Sequence, residues 1–335
     1  MRAIPADRNP RSRIIRRGLA AALTLTVGGA LAACGGGSGD SAGNSANGLE
    51  KARINVAGLA VVDDAPLYIA RDRGLFRKQG LKVHVTTLTQ STQAIPGLLR
   101  GDIDIDAGGN YVSFFQAKAK GAIDLRVLAN AFQCGKDVVP VLAMPGSAIR
   151  RPADLAGKKI AVNLVNNVQT MLLNAVLRAD GVDVSKIKYV QVPFPNMAAA
   201  LEKGQVDAAS AVEPFSTGMK RRLHARKVVD SCTGPTKDFP LSGVFATDEF
   251  VKKNPKTVAA FQRAYRAAAK IAADRSVVER TLPGYTKIDR KTASAITIGR
   301  FPVTADPAAL QKVADLMRSS GMLSKPLNAG DLLAK

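Results

Sequence analysis

Apolar and polar residues alternate over residues 53–60 (RINVAGLA), the two-residue period of a strand with one buried face. Asp63 and Asp64 then precede Ala65 and Pro66, and an acidic N-cap with a first-turn proline predicts a helix that runs on to Gly80. Residues 81–88 are the next predicted strand. After a polar turn at residues 90–93 and a short helix comes the stretch Leu98, Gly101, Ile103, Asp104, Ala107, Asn110. Its glycine suits a left-handed helix end, and Ile103 opens a buried strand. Residues 110–120 read as helix and 125–132 as strand. The Leu98 stretch returns 103 residues later as Leu201, Gly204, Val206, Asp207, Ser210, Glu213, a spacing far beyond that of solenoid repeats.

Around the second copy the cycle restarts, with strands at 138–143, 159–163, 187–192 and 208–212 and helices at 168–179, 197–203 and 214–222. A strand at 241–247 follows, and the rest of the chain is helical, with long helices at 255–275 and 306–320. Strands alternating with helices predict mostly parallel sheets flanked by helices, and the half-chain repeat predicts two lobes. The expected division is a first lobe over 53–138, a second over 139–244, and a helical return to the first over 245–335. Two chain crossings, near 134–144 and 232–246, would form a hinge.

The 335 residues exceed a comfortable single-domain size. Residues 1–33 carry six Arg and one acid, and their apolar run over 19–33 is short for a bilayer span, so they read as an export signal. The run ends in Leu31, Ala32, Ala33, Cys34, which resembles the lipobox of bacterial lipoproteins. That resemblance implies lipidation of Cys34 and a membrane anchor. Arg16 and Arg17 leave the export route, general or twin-arginine, open. Residues 35–47 are nearly all Gly, Ser, Ala, Asn and Asp, and residues 34–52 are expected to be a flexible tether.

Net charge is +21; the leader takes six of the 48 basic residues and one of the 27 acids, leaving +16. An exported chain without aromatic residues interleaved among basic ones does not point to nucleic acid. Anionic headgroups or anionic solutes suit the charge better. Apart from Cys34 there are two cysteines, Cys134 and Cys232, at the starts of the two crossings. In an oxidising compartment a disulfide between them is expected, and no His or Cys stands at ligand spacing for a metal.

Gly74, Leu75, Phe76, Gly80 and Leu81, residues 98–104, the run Asp154, Leu155, Ala156, Gly157, Lys158, Lys159, Ile160, Ala161, Val162, and residues 248–255 together resemble the SsuA/THI5-like (NMT1-like) solute-binding proteins of ABC importers. The likeness covers most of the chain from Arg53. It implies a two-lobed, hinged α/β fold of the periplasmic-binding-protein kind (type II), a small-molecule solute, an ABC permease with its ATPase as partner, no cofactor, and a lipid-anchored monomer on the extracytoplasmic side of the cell membrane, periplasmic or outer face.

In open parallel sheets ligands bind beyond the carboxyl ends of the strands, which singles out the loops at 62–68, 90–93, 108–111, 163–169 and 213–215. The candidate ligand-binding residues are Asp63, Asp64, Tyr68, Ser91, Thr92, Gln93, Gly109, Asn110, Tyr111, Asn166, Asn167, Glu213 and Phe215. Ser91, Thr92, Gln93 and the two asparagines offer hydrogen bonds or helix caps. Tyr111 and Phe215 offer stacking faces or core. Asp63, Asp64 and Glu213 favour a positive or donor-bearing group on the solute. No arginine stands in these loops, so a sulfonate, taurine or nitrate would rest on backbone N–H groups with Ser91, Thr92 and Asn166, while the family's pyrimidine-binding branch, which carries thiamine precursors, would suit the aromatic and acidic residues equally well. An enzyme on the same fold is the rival reading, but His84 and His224 have no partner in sequence that suggests a nucleophile or metal site. A sensor lipoprotein that keeps the fold without transport is another.

Overall fold

The structure is a computed structural model and describes residues 48–334. The export signal, the lipidation site Cys34 and the tether up to residue 47 lie outside the described residues.

Among the described residues ten strands form two five-stranded sheets. The first contains β1 (Arg53–Leu59), β2 (Lys82–Leu88), β3 (Ile105–Asn110), β4 (Leu125–Gln133) and β10 (Pro240–Thr247), in the order β2-β1-β3-β10-β4. The second contains β5 (Pro140–Ala143), β6 (Lys159–Val162), β7 (Lys188–Gln191), β8 (Ala208–Ser210) and β9 (Arg226–Asp230), in the order β7-β6-β8-β5-β9. In each sheet the first three strands pair in parallel, and the fourth is antiparallel to both its neighbours. Four of the five strands therefore run one way. The reversed strand, β10 or β5, is the one that enters directly from the other lobe.

The repeated stretch occupies the same place in both sheets. Gly101 and Gly204 close helices in the left-handed conformation, at φ 78° and 67°. Asp104 and Asp207 then do equivalent work. Each backbone N–H bonds the neighbouring strand, at Asn55 and Lys159, and each carboxylate accepts the backbone N–H of that same residue, at 2.9 and 2.7 Å. These carboxylates register the central strands, a structural use that leaves the strand ends free for chemistry.

Three boundaries differ from the sequence pattern. Residues 49–52, assigned to the tether, are packed on the body: Leu49 is buried, the Glu50 carboxylate accepts the N–H groups of Lys256 and Thr257, and Lys51 pairs with Asp104 at 2.7 Å. β10 belongs whole to the first sheet, so the return begins at Pro240 rather than 245; its partners β3 and β4, not its position in the chain, decide this. The helix expected over 255–275 stops at Ala272, and a second, Arg275–Thr281, starts with Asp274 as its N-cap. The helical return covers the first lobe, as Phe261 of Pro255–Ala272 stacks on Phe76 at 5.2 Å.

The crossings lie side by side. Cys134 N–H donates to the Phe239 carbonyl and Ser231 N–H to that of Val139. The expected disulfide joins Cys134 and Cys232, with Cα atoms 5.4 Å apart.

All six residues of β3 are buried, and its two glycines admit close neighbours. A Cβ on Gly109 would stand 2.5 Å from Asp106 Oδ2 and 2.7 Å from both Phe114 and Phe245. The stacked rings of Phe114 and Phe245 cannot both give way. Gly109→Ala is expected to lower stability by about 1–3 kcal/mol, read from denaturant unfolding; an unchanged midpoint would refute this packing.

Candidate functional site

The carboxyl ends of the parallel strands in the two sheets face one another across a cleft, and the lobes are closed on it. Val62 N–H donates to the Glu213 carbonyl at 3.1 Å, and Gln90 Nε2 to the Asn163 carbonyl at 2.9 Å. Between them lies a cavity of about 60 Å³. With a water's share of liquid volume at roughly 30 Å³, it admits a group of only a few heavy atoms. Asp63, Ser91, Gly108, Asn110 and Ser242 line it from the first lobe, and Asn163, Asn167, Gln169 and Phe194 from the second, with Leu59, Val61, Leu172, Val212 and Leu241 among its apolar wall.

Each polar group is held by its own element. Asn110 caps the helix Tyr111–Ala119, accepting Ser113 N–H at 2.9 Å while its amide donates to Ser91 Oγ at 2.9 Å. Asn167 caps Val168–Ala179 by accepting Gln169 N–H at 3.1 Å. Gln169 is clamped in turn, accepting Asn163 N–H at 2.8 Å and donating to the Ser210 carbonyl at 2.7 Å. Ser242 Oγ donates to Asp63 Oδ2 at 3.3 Å. Burial pushes the Asp63 carboxyl up to about 7 despite that bond.

Of the sequence candidates, Asp63, Ser91, Asn110 and Asn167 are brought together on this wall. The others stand elsewhere. Asp64 is fully buried beneath it, its carboxylate accepting Leu59 N–H and pressed against Gly58 and Gly108. Burial, followed by the charge of Asp63, holds it well above the usual carboxylate range. Glu213 is also fully buried, and its carboxylate is taken by Thr217 N–H (3.0 Å), Thr217 Oγ (2.8 Å) and Thr297 N–H (3.1 Å). It ties the second lobe to the helical return rather than facing the cavity. Gln93 turns back on Thr89 and Gln90, and Thr92 does not line the cavity. Gly109 faces the aromatic core, and it is Gly108 that meets the cavity. Tyr111 lies in that core, donating to Asn130. Asn166 is exposed, in the left-handed conformation. Tyr68 stacks on Tyr285 at 3.8 Å, and burial raises its hydroxyl to about 12.

Phe215 stacks on Phe194 at 5.7 Å. Phe194 is the partition between the cavity and a wider open groove of about 950 Å³, where Phe215, Tyr285, Arg221, Arg222 and Lys287 stand. Asn163 and Gln169 bound the loop singled out at 163–169 but were not among its candidate residues, and Ser242 and Phe194 lie outside the five loops. Phe194 follows closely on the end of a parallel strand, a signal that could have found it. Ser242 sits on a reversed strand, where no such rule applies.

Residues 62–276 match the family described as NMT1/THI5 like. The chain belongs to that family. Among relatives of this NMT1/THI5-like chain, the taurine-binding periplasmic protein of Escherichia coli (strain K12) is 24% identical over 214 residues, 63% of this chain and 64% of that protein. The chain spans under two thirds of the length of the first curated relatives it matches. The alkanesulfonate-binding protein SsuA of Xanthomonas axonopodis pv. citri, bound to MOPS, superposes with a TM-score of 0.71 at 20% identity, covering 84% of this chain and 98% of that one. The periplasmic nitrate-binding protein NrtA of Synechocystis PCC 6803 does so with a TM-score of 0.72 at 15% identity, covering 84% and 85%. These likenesses, with the two sheets, establish the two-lobed periplasmic-binding-protein fold expected from the sequence. Among the described residues no helix is long and apolar enough to cross a membrane.

Proposed function

We propose that this NMT1/THI5-like protein is the extracytoplasmic solute-binding component of an ABC importer, not an enzyme, and that it is anchored to the membrane through a lipidated Cys34. It captures a small polar solute of the sulfonate, taurine or nitrate kind by closing two lobes about a hinge at the paired crossings, and delivers it to the permease and ATPase. The carrying observation is the small cavity between the lobes, with fixed polar side chains from both and inter-lobe hydrogen bonds beside it. A group held by both walls stabilises the closed form over the open one, which is the differential affinity that a capture step needs. The phenyl ring of Phe194 at the cavity edge favours one second reading, uptake of a pyrimidine that serves as a thiamine precursor.

The test is a melting screen of the mature protein against sulfonates, taurine, nitrate, amines and pyrimidines. A solute at 100 times its dissociation constant adds about 2.7 kcal/mol to the free energy of unfolding, and the transition should rise by roughly 5 °C or more. A transition that no small solute moves would sink the reading.

A further inference from the structure

The inner cavity of about 60 Å³ and the outer groove of about 950 Å³ each take their walls from both lobes, and a thin partition separates them. Part of it is backbone. Val61 and Val212 line the cavity while Ala60 and Pro214 line the groove, and the two turns close on each other where Val62 N–H donates to the Glu213 carbonyl at 3.1 Å. Phe194 is the one residue that lines both spaces. It opens the helix Phe194–Glu202 between Pro193 and Pro195, whose rings restrict the backbone on either side, and it stacks on Phe215 with the ring planes 12° apart. Only 8% of Phe194 is exposed. The ring cannot swing aside without breaking the stack and giving apolar surface to water. Beyond it the groove widens, with Pro195, Ala198, Met219 and Ile288 as apolar wall and Arg221, Arg222 and Lys287 along it. A solute tail that reached the groove would find room, apolar contact and cations.

We infer, on the solute-binding reading above, that Phe194 sets the size of the solute: the polar head sits in the inner cavity, the ring caps it, and the protein selects compact solutes such as nitrate or a one- or two-carbon sulfonate. Solutes with a longer chain or a ring are turned away at the cap rather than by any lack of space behind it. Protein interiors are close-packed, so a tail pressed against a fixed ring overpacks the partition, and each added methylene makes the fit worse. Truncating the ring joins the cavity to the groove and removes the limit.

Calorimetric titration of the mature protein with nitrate and the linear alkane-1-sulfonates, from methanesulfonate to hexane-1-sulfonate, tests this. Wild-type affinity should fall at least tenfold between methanesulfonate and butane-1-sulfonate. Phe194→Ala should bind butane- and hexane-1-sulfonate at least tenfold tighter than the wild type does, while its affinity for nitrate and methanesulfonate changes by less than threefold. Phe194→Leu, a milder truncation that keeps an apolar side chain in place, should move the limit the same way by a smaller step, and cooperative melting checks that both variants fold. The readout is the dependence on chain length, because a residue that only supports the fold would weaken every member of the series alike. Wild-type protein that binds hexane-1-sulfonate as tightly as methanesulfonate, or folded variants whose length profile parallels that of the wild type, would overturn the inference while leaving a solute-binding protein. So would binding of a pyrimidine with none of the series bound, which is the outcome the second reading expects. Binding of none of the probes and of no other small solute would overturn both.

Discussion

Replacing both half-cystines, Cys134→Ala with Cys232→Ala, is expected to lower the free energy of unfolding by several kcal/mol. The bond closes a loop with a sequence separation of 98, and the chain-entropy relation for a loop of that length gives about 4.7 kcal/mol at 25 °C. Both residues are buried, at 0% and 3% exposure, so the substitution also leaves a small apolar void. The hydrogen bonds between the crossings remain and offset none of the lost constraint, because they act in the folded state while the disulfide acts chiefly on the unfolded one. The melting temperature should fall by roughly 10 °C. The wild-type protein under strong reductant should approach the double variant. A double variant that melts with the wild type would show that the crossings are held by packing alone.

Stability of the ligand-free protein should rise as pH falls from 7.5 to 5. Three carboxylic acids, Asp63, Asp64 and Asp106, are held above their ordinary range, each first by burial. Asp64 also feels the charge of Asp63, and Asp106 that of Asp64. Near neutral pH the folded chain keeps protons that the unfolded chain has released, so unfolding becomes easier as pH rises from the ordinary value of 3.8 through about 7. For Asp63 alone the change between pH 5 and 7.5 is about 2 kcal/mol, and the other two act in the same direction. Acids with the opposite shift, such as half-buried Asp154 and exposed Asp183 and Asp274, each lowered first by hydrogen bonds from neighbouring residues, bring stability down again only below about pH 4. Melting curves across pH 4 to 8 should peak on the acid side of neutrality. A monotonic rise from pH 5 to 8 would mean that these carboxyls ionise freely.

The fold was readable where local signals agree. Helix Val168–Ala179 has the bounds read from the sequence, because Asn167 is a good N-cap and the apolar residues keep helical spacing. β9 was missed: only Val228 and Val229 mark it, after the basic run Lys220–Arg222, and its existence depends on pairing with β5 far away in sequence. The site was half readable for a related reason. Proximity to a strand end can be seen in sequence, but side-chain direction changes within one residue. Asp63 lines the cavity and Asp64 lies beneath it; Gly108 meets the cavity and Gly109 the core. Glu213 follows the repeat faithfully, yet its carboxylate is claimed by Thr217 and Thr297, and Thr297 is too distant in the chain for any local pattern to report.

The disulfide also alters what a protease can do. The chain enters the second sheet just after Cys134 and leaves it just before Cys232. A single cut anywhere from residue 135 to 231 yields two fragments that stay covalently joined. The nicked molecule keeps its mass on a non-reducing gel, and the second lobe's exposed loops can be cleaved without releasing either half.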